Sequence, residues 1–394
     1  MPDLRQIIAR LDTQNFFHGL TLVLALAALG LNLTVSWKVY RHEPLREAAS
    51  RSLMASGSSF FYDSGLTEPL PAAALKLAMA AGADADTAVR AEGMLAFAAL
   101  FFVTLFVLRR RCGEQTALMG TLFLAANPYL GYYAMQGSSH LYALVFILLF
   151  WHYFAGSAPG RKQALLAGLY GGLACLSRLD SAWALLIVAG LSWASARKDF
   201  PLKAAGLALG LALLLTLPYA VYQKVTFNNF FYAQELSLRR WANIDRYGYR
   251  PEVEAPKGPL GQAAFLFRDG PAAALSRTFR GLGRSFAYEL PRTLYYKFLM
   301  VLVFLGVYAA FALKKDALLF LLAASLLPAA ALASIKQVPA TGSIEMRYYL
   351  FAVWTFCALA GLGFQETLAW FEKSVYDWGK AKAAAAAGKD KKAS

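Results

Sequence analysis

Residues 17–37 read FHGLTLVLALAALGLNLTVSW. The stretch holds no Asp, Glu, Lys or Arg, and it reaches the roughly 20 apolar residues that a helix needs to cross a bilayer. Lys38, Arg41, His42 and Glu43 follow at once. The run is too long for the apolar core of a signal peptide, and no small-residue cleavage site follows it, so it reads as a first retained span. Similar runs recur at 91–108, 116–130, 139–155, 164–178, 180–196, 204–222, 293–313, 317–335 and 347–366. The pattern predicts an all-α polytopic membrane protein with about ten transmembrane helices. The 164–178 and 180–196 runs are separated only by Arg178 to Asp180, which demands a tight turn.

Composition agrees. Of 394 residues, 58% are hydrophobic and only 16% charged, less charge than a soluble domain carries. The net charge of +15 would suggest nucleic acid in a soluble protein. Here the basic residues lie between apolar runs, where they set orientation and meet anionic headgroups. No basic-aromatic module points to nucleic acid, so no nucleic-acid partner is expected. Cys112, Cys175 and Cys357 match no zinc spacing and suggest no disulfide framework.

With the N-terminus in the cytoplasm, the short inner connections hold Arg109, Arg110, Arg111, Arg161, Lys162, Arg197, Lys198, Lys203, Lys314 and Lys315. The short outer connections hold only Arg178, Lys336 and Arg347. That bias follows the positive-inside rule. It leaves two large extracytoplasmic segments, 38–90 and 223–292, and a basic cytoplasmic tail at 367–394 that is Ala/Lys-rich from 380 and reads as disordered at its end. Each outer segment holds a stretch that reads as an amphipathic helix on the membrane surface: Pro69 to Ala81, and Gly270 to Glu289 with Arg277, Arg280 and Arg284 along it. There is no internal repeat, which weighs against a transporter built from inverted halves. The Ala/Leu/Gly-rich composition and basic tail suggest a bacterial inner membrane.

Several short stretches fall in order on the expected outer face. His42-Glu43 directly follows the first span, Ser56-Gly57 comes later, and Glu68-Pro69 precedes the first surface helix. Arg90 opens the second span, Ser177-Arg178 closes another, and Phe227-Asn228-Asn229-Phe230 follows a long one. Glu345-Met346-Arg347-Tyr348 precedes the last span. In this order the chain resembles the GT-C superfamily of membrane glycosyltransferases over roughly residues 17–366. The branch it looks most like holds protein O-mannosyltransferases and the lipid A aminoarabinose transferase.

The resemblance implies transfer of a sugar from a polyprenyl-phosphate carrier to a lipid, polysaccharide or protein acceptor on the outer face, with inversion. An acceptor hydroxyl needs a base in the transition state. The candidates are Glu43, His42, Asp63 and Glu68. His42 stands where that branch has its aspartate, so Glu43, Glu47, Asp63 or the histidine itself takes the role. The lipid phosphate calls for paired cationic donors, and Arg347, Arg178, Arg90, Lys336 and Tyr348 sit at the helix mouths that would supply them. The resemblance leaves metal use open: some relatives need a divalent cation, and carboxylates at 43, 63 and 68 have the oxygen ligands one would take. His140, beside Ser138 and Ser139, reads as an interfacial residue, and Tyr129, Tyr132 and Tyr133 as an aromatic belt. Rival readings are a flippase or transporter of a lipid-linked sugar, and a non-catalytic assembly protein of the same fold.

Overall fold

A computed structural model describes residues 13–45, 48, 66–155, 160–196, 200–238, 267, 269–335 and 346–390. Among the described residues the regular structure is helical, with no strand. The helices are α1 (Thr13–Tyr40), α2 (Pro69–Ala80), α3 (Ala85–Arg111), α4 (Glu114–Ala125), α5 (Pro128–Met135), α6 (Ser139–Phe154), α7 (Arg161–Ser177), α8 (Ser181–Ala196), α9 (Leu202–Phe227), α10 (Pro271–Arg284), α11 (Leu299–Ala312), α12 (Asp316–Ile335) and α13 (Leu350–Asp390). Each apolar run of the sequence becomes helix, but the runs do not all become full crossings.

Among the described residues four helices are long and apolar enough to cross a membrane: Asn15–Tyr40, Ala85–Arg111, Leu202–Phe227 and Met346–Ser374. A fifth crossing results if the bent pair α5–α6 is joined. The other expected spans are not matched by helices of that length. Helices α6, α7, α8 and α11 have 14 to 17 residues, which at 1.5 Å per residue span about 21–26 Å against a hydrocarbon core of about 30 Å. Large apolar side chains such as Val23, Leu31, Phe102, Leu213, Val301 and Phe304 point outward. A surface of that kind calls for hydrocarbon rather than water as its neighbour.

The boundaries follow local chemistry. Helix α3 starts at Asp84, whose carboxylate accepts the Thr87 N–H at 3.1 Å. It ends in Arg109, Arg110 and Arg111, the charge that suits a helix C-terminus. The expected span 116–130 is split at Asn127, whose side chain accepts from the Tyr129 N–H while Pro128 begins α5. The carbonyls freed by that break are satisfied by Asn32 of α1, which donates to Ala125 O and Asn127 O, both at 2.8 Å. Helices α5 and α6 meet at 115°, through Gly137 at φ 63°, a conformation that costs glycine little. The disorder expected at the end of the tail lies outside the described residues, which carry α13 on to Asp390. Its Ala383–Ala387 run is the strongest helix-forming composition available.

Packing depends on close backbone approach. A Cβ on Gly306 of α11 would lie 1.9 Å from the Leu359 carbonyl oxygen of α13, and one on Gly363 of α13 would lie 2.1 Å from the Leu302 carbonyl oxygen of α11. Helices in lipid associate through such small residues. Gly306→Ala should therefore destabilise the protein by about 1–3 kcal/mol. Gly190→Ala, with nothing near its Cβ position, should be neutral or stabilising by up to about 1 kcal/mol. Thermal unfolding of the detergent-solubilised variants checks the pair; equal midpoints would refute the close contact.

The helix ends sort into two groups, as alternating crossings require. At one end Arg111 donates to His152 O and to Ala155 O, Lys315 reaches Arg111 O at 3.3 Å, and Trp151 Nε1 donates to Ala317 O. At the other end the Thr67 carbonyl accepts the Leu179 N–H at 2.9 Å, and the Leu66 carbonyl accepts from Tyr219. Helix α2 lies at this second end. It buries Pro69, Pro71, Ala72, Ala73 and Leu75 and leaves Leu77 exposed. Helix α10 buries only Gly281 and exposes Leu275 and Phe279, while Arg277 pairs with Asp269.

Candidate functional site

Arg90 is 2% exposed, and each of its five N–H groups has an acceptor within the chain. Nε and Nη2 reach the Asp86 carboxylate one turn earlier, at 3.0 and 3.3 Å. Nη1 donates to Tyr40 O at 2.8 Å and to Met135 O at 3.3 Å, and Nη2 donates to Glu43 O at 2.6 Å. Arg90 thus ties the turn after α1 to α3 and to the end of α5. The sequence proposed it as a lipid-phosphate ligand; with five donors engaged, it positions the turn that carries His42 and Glu43 instead. Both of those side chains are exposed.

A second arginine sits in a different setting. Helix α7 stops at Ser177, and the extended backbone of Arg178 (φ −154°, ψ 120°) turns its side chain across the bundle end. The tight turn expected between α7 and α8 is present, closed by Ser181 N–H donating to Arg178 O at 2.9 Å. The Arg178 guanidinium grips Asp180 at 2.9 and 2.7 Å and donates to Ser139 Oγ at 3.1 Å. Tyr348 and Glu68 lie within electrostatic reach of it. Glu68 precedes α2 without using its side chain as a cap.

Arg347 completes the group. The one-turn helix Met346–Tyr349 leads into α13 and holds the Arg347 guanidinium 5.1 Å from the Tyr348 ring centroid. The Tyr348 ring in turn meets His140 edge-on at 5.4 Å. His140 Nδ1 lies 3.2 Å from Ser138 Oγ, and its Nε2 is buried with no hydrogen-bond partner. Both Arg178 and Arg347 act electrostatically on this imidazole. The structure therefore brings Arg178, Arg347 and Tyr348, which the sequence proposed, to His140, which the sequence read as interfacial, and Glu68 within electrostatic reach of Arg178. A signal for His140 existed: Ser138-Ser139-His140 is a polar triplet at the mouth of a largely apolar helix. Asp63, Lys336 and Glu47 lie outside the described residues. Tyr132 packs on Tyr40 at 5.0 Å and on Tyr133 at 5.1 Å. Among the described residues no three His, Cys, Asp or Glu side chains group as metal ligands.

Behind the Arg347 turn, the Tyr349 hydroxyl meets Ser285 Oγ at 2.6 Å. Ser285 opens a π-helical turn, Ser285–Glu289, that ends on a carboxylate only 1% exposed. Arg284 Nε lies 3.5 Å from Glu289 Oε1, too poorly aligned for a hydrogen bond to either carboxylate oxygen. Burial pushes this carboxyl above the usual range, opposed by its backbone and by Arg284 and Arg292. A raised carboxyl pKa in the folded state means stability that is full below the unfolded pKa and is lost as pH rises through the folded one. Glu289→Gln should remove that loss. The variant should melt higher than wild type at neutral pH, by on the order of 1 kcal/mol, and match it in acid. Melting curves across pH check this, and a parallel drop at all pH values would refute it.

No protein-family model and no curated protein matches the chain. Among solved structures, this chain is similar to the crystal structure of ArnT from Cupriavidus metallidurans bound to undecaprenyl phosphate, at 16% identity and a TM-score of 0.42, over 87% of this chain and 77% of that one.

Proposed function

We propose that the chain is a glycosyltransferase that moves a sugar from a polyprenyl-phosphate carrier to an acceptor hydroxyl, with inversion, at the extracytoplasmic face of a bacterial inner membrane. One observation carries this reading: two arginines from distant helix ends, Arg178 and Arg347, converge with Tyr348 and Glu68 at a single end of an apolar helix bundle. In this reading about ten membrane segments, some short or bent, surround that end. The lipid tail of the donor lies along the apolar flank while its phosphate meets the arginines.

In the reaction the acceptor oxygen attacks the anomeric carbon from the side opposite the phosphate. The carbon–oxygen bond to the phosphate breaks, and its electron pair leaves with the lipid phosphate. A carboxylate takes the hydroxyl proton as the new bond forms. Glu68, within electrostatic reach of Arg178, is our candidate for that base, ahead of Glu43 and His42, which are exposed. The guanidinium groups oppose the negative charge that grows on the leaving oxygen, an effect strengthened where water is excluded.

The test is transfer by purified protein from a polyprenyl-phosphate sugar to a hydroxyl acceptor, with the product resolved by chromatography. Glu68→Gln should lower turnover by about 10²–10⁴-fold and leave donor affinity within about threefold. Wild-type turnover in that variant would return the role to Glu43, His42 or Asp63.

Transport of the same lipid is the second reading, favoured by the breaks at Asn127 and Gly137, since transporters bind substrate at broken helices. The Asn32 bonds that seal the first break weigh against it. Movement of the lipid across vesicles without any transfer would decide for transport.

A further inference from the structure

We infer that Tyr349 and Ser285 are positioning residues for Arg347: the hydrogen bond between them fixes the one-turn helix that aims the guanidinium at the lipid phosphate. This rests on the function proposed above. Arg347 and Tyr349 belong to the same turn, Met346–Tyr349. With about three residues per 3₁₀ turn, successive side chains point about 120° apart, so fixing one sets the direction of its neighbours. Tyr348 lies against His140, and Tyr349 points into the bundle, where it is fully buried. Its hydroxyl meets Ser285 Oγ at 2.6 Å, across 64 residues of chain. A buried hydroxyl needs a partner. Glu289, at the far end of the Ser285 turn, does not serve as one, since neither carboxylate oxygen makes a hydrogen bond.

The serine is itself held in place. Ser285 is 1% exposed, and its Oγ also bonds to the Gly281 carbonyl at 2.8 Å. It stands where α10 widens into the π-helical turn, closed by Leu290 N–H donating to Ser285 O. Single π turns inside helices are frequent at functional sites. Phe286, the next residue, packs on Phe356 of α13 at 6.2 Å. The second outer segment thereby reaches the start of α13 and holds the turn there. The hydroxyl pair is neutral and buried, so its effect on the phosphate runs through Arg347. Displacing a catalytic group by about 1 Å can cost about 10²-fold in rate.

Tyr349→Phe removes the hydroxyl, keeps the ring and leaves Ser285 its bond to Gly281. Turnover in sugar transfer should fall about tenfold, with the KM for the polyprenyl-phosphate sugar within about threefold and the melting point within about 3 °C. Tyr288→Phe, the same change at an exposed position of the π-helical turn, should alter none of these. Ser285→Ala should match Tyr349→Phe, and the double variant should be no worse than either. In an Arg347→Ala background, Tyr349→Phe should lower turnover no further. A second readout needs no transfer: trypsin cleavage after Arg347 in detergent-solubilised protein, followed by mass spectrometry. Tyr349→Phe should speed that cut about tenfold and leave cleavage after Arg161, which opens α7, unchanged. Unchanged cleavage after Arg347, or turnover within about twofold of wild type, would overturn the inference. So would an equal loss of turnover with and without Arg347, or cleavage that quickens alike at both sites, the mark of general destabilisation. If wild-type protein transfers no sugar, or Arg347→Ala keeps wild-type turnover, the phosphate role of Arg347 falls and takes this inference with it, even where cleavage after Arg347 responds.

Discussion

Arg178→Ala will lower sugar transfer by roughly 10²–10³-fold, the loss typical when a donor to a developing oxyanion is removed, while the melting point moves little. The reasoning starts from its partners. Asp180 is half exposed, so removing the arginine returns that carboxylate to solvent instead of stranding it. Ser139 loses one hydrogen bond, worth about 0.5–1.5 kcal/mol. The fold therefore tolerates the change. What disappears is a guanidinium held across the mouth of α7 by its grip on Asp180, facing His140 and within reach of Tyr348 and Glu68. Lysine does not restore the effect, because a single ammonium cannot hold a carboxylate with one edge and present a flat fork to a phosphate with the other. Asp180→Asn should cost less than Arg178→Ala, since the arginine keeps its charge and loses only its alignment. The measurement is turnover at saturating donor alongside thermal unfolding. Turnover in Arg178→Ala within threefold of wild type would reduce Arg178 to a structural partner of Asp180 and remove the main support for a phosphate site.

Arg90→Ala should do the opposite: lower stability first and activity as a consequence. The guanidinium is nearly inaccessible, and it is the donor for the carbonyls of Tyr40, Glu43 and Met135. Removing it leaves those oxygens without that donor where the turn after α1 meets α3 and α5, at about 1–3 kcal/mol for each acceptor that water cannot reach. A total near 3–5 kcal/mol fits the range for breaking a buried charged network. Arg90→Lys should recover little, because an ammonium has three donors on one point where five in a planar fork are in use. Asp86→Ala should be mild, since Asp86 is 51% exposed. Thermal unfolding in detergent checks the series. An Arg90→Ala protein that melts within about 1 kcal/mol of wild type would show that those hydrogen bonds contribute little, and would reopen a ligand role for Arg90.

The two arginines carry the lesson about legibility. In the sequence, Arg90 and Arg178 look alike: each is basic, close to a helix end, near an aspartate. Asp86 precedes Arg90 by four residues and Asp180 follows Arg178 by two. The first spacing places both on one face of α3, and the second places them across a turn. Those local pairs were readable. Which arginine also meets three carbonyls and which meets His140 depends on residues 40–50 positions away in the chain for Arg90 and about 40 for Arg178, and no local pattern encodes that.

The same division runs through the helices. Proline at 128 was in plain view, yet the run 116–130 read as one span, because apolar composition outweighs a single break when no partner for the freed carbonyls is known. That partner is Asn32, a polar residue inside the first apolar run, and it became meaningful only once α1 lay against the break. In the alanine-rich tail, intrinsic propensity carries α13 to Asp390.

What this amino-acid order determined alone was the helical class, the positions of the apolar segments and most helix ends, because hydrophobicity, caps and charged termini act over a few residues. Tertiary structure decided how long each helix is, that Arg90 meets three distant carbonyls, and that Arg178 and Arg347 both act on His140, because close packing brings together side chains whose separation along the chain says nothing about their distance in space.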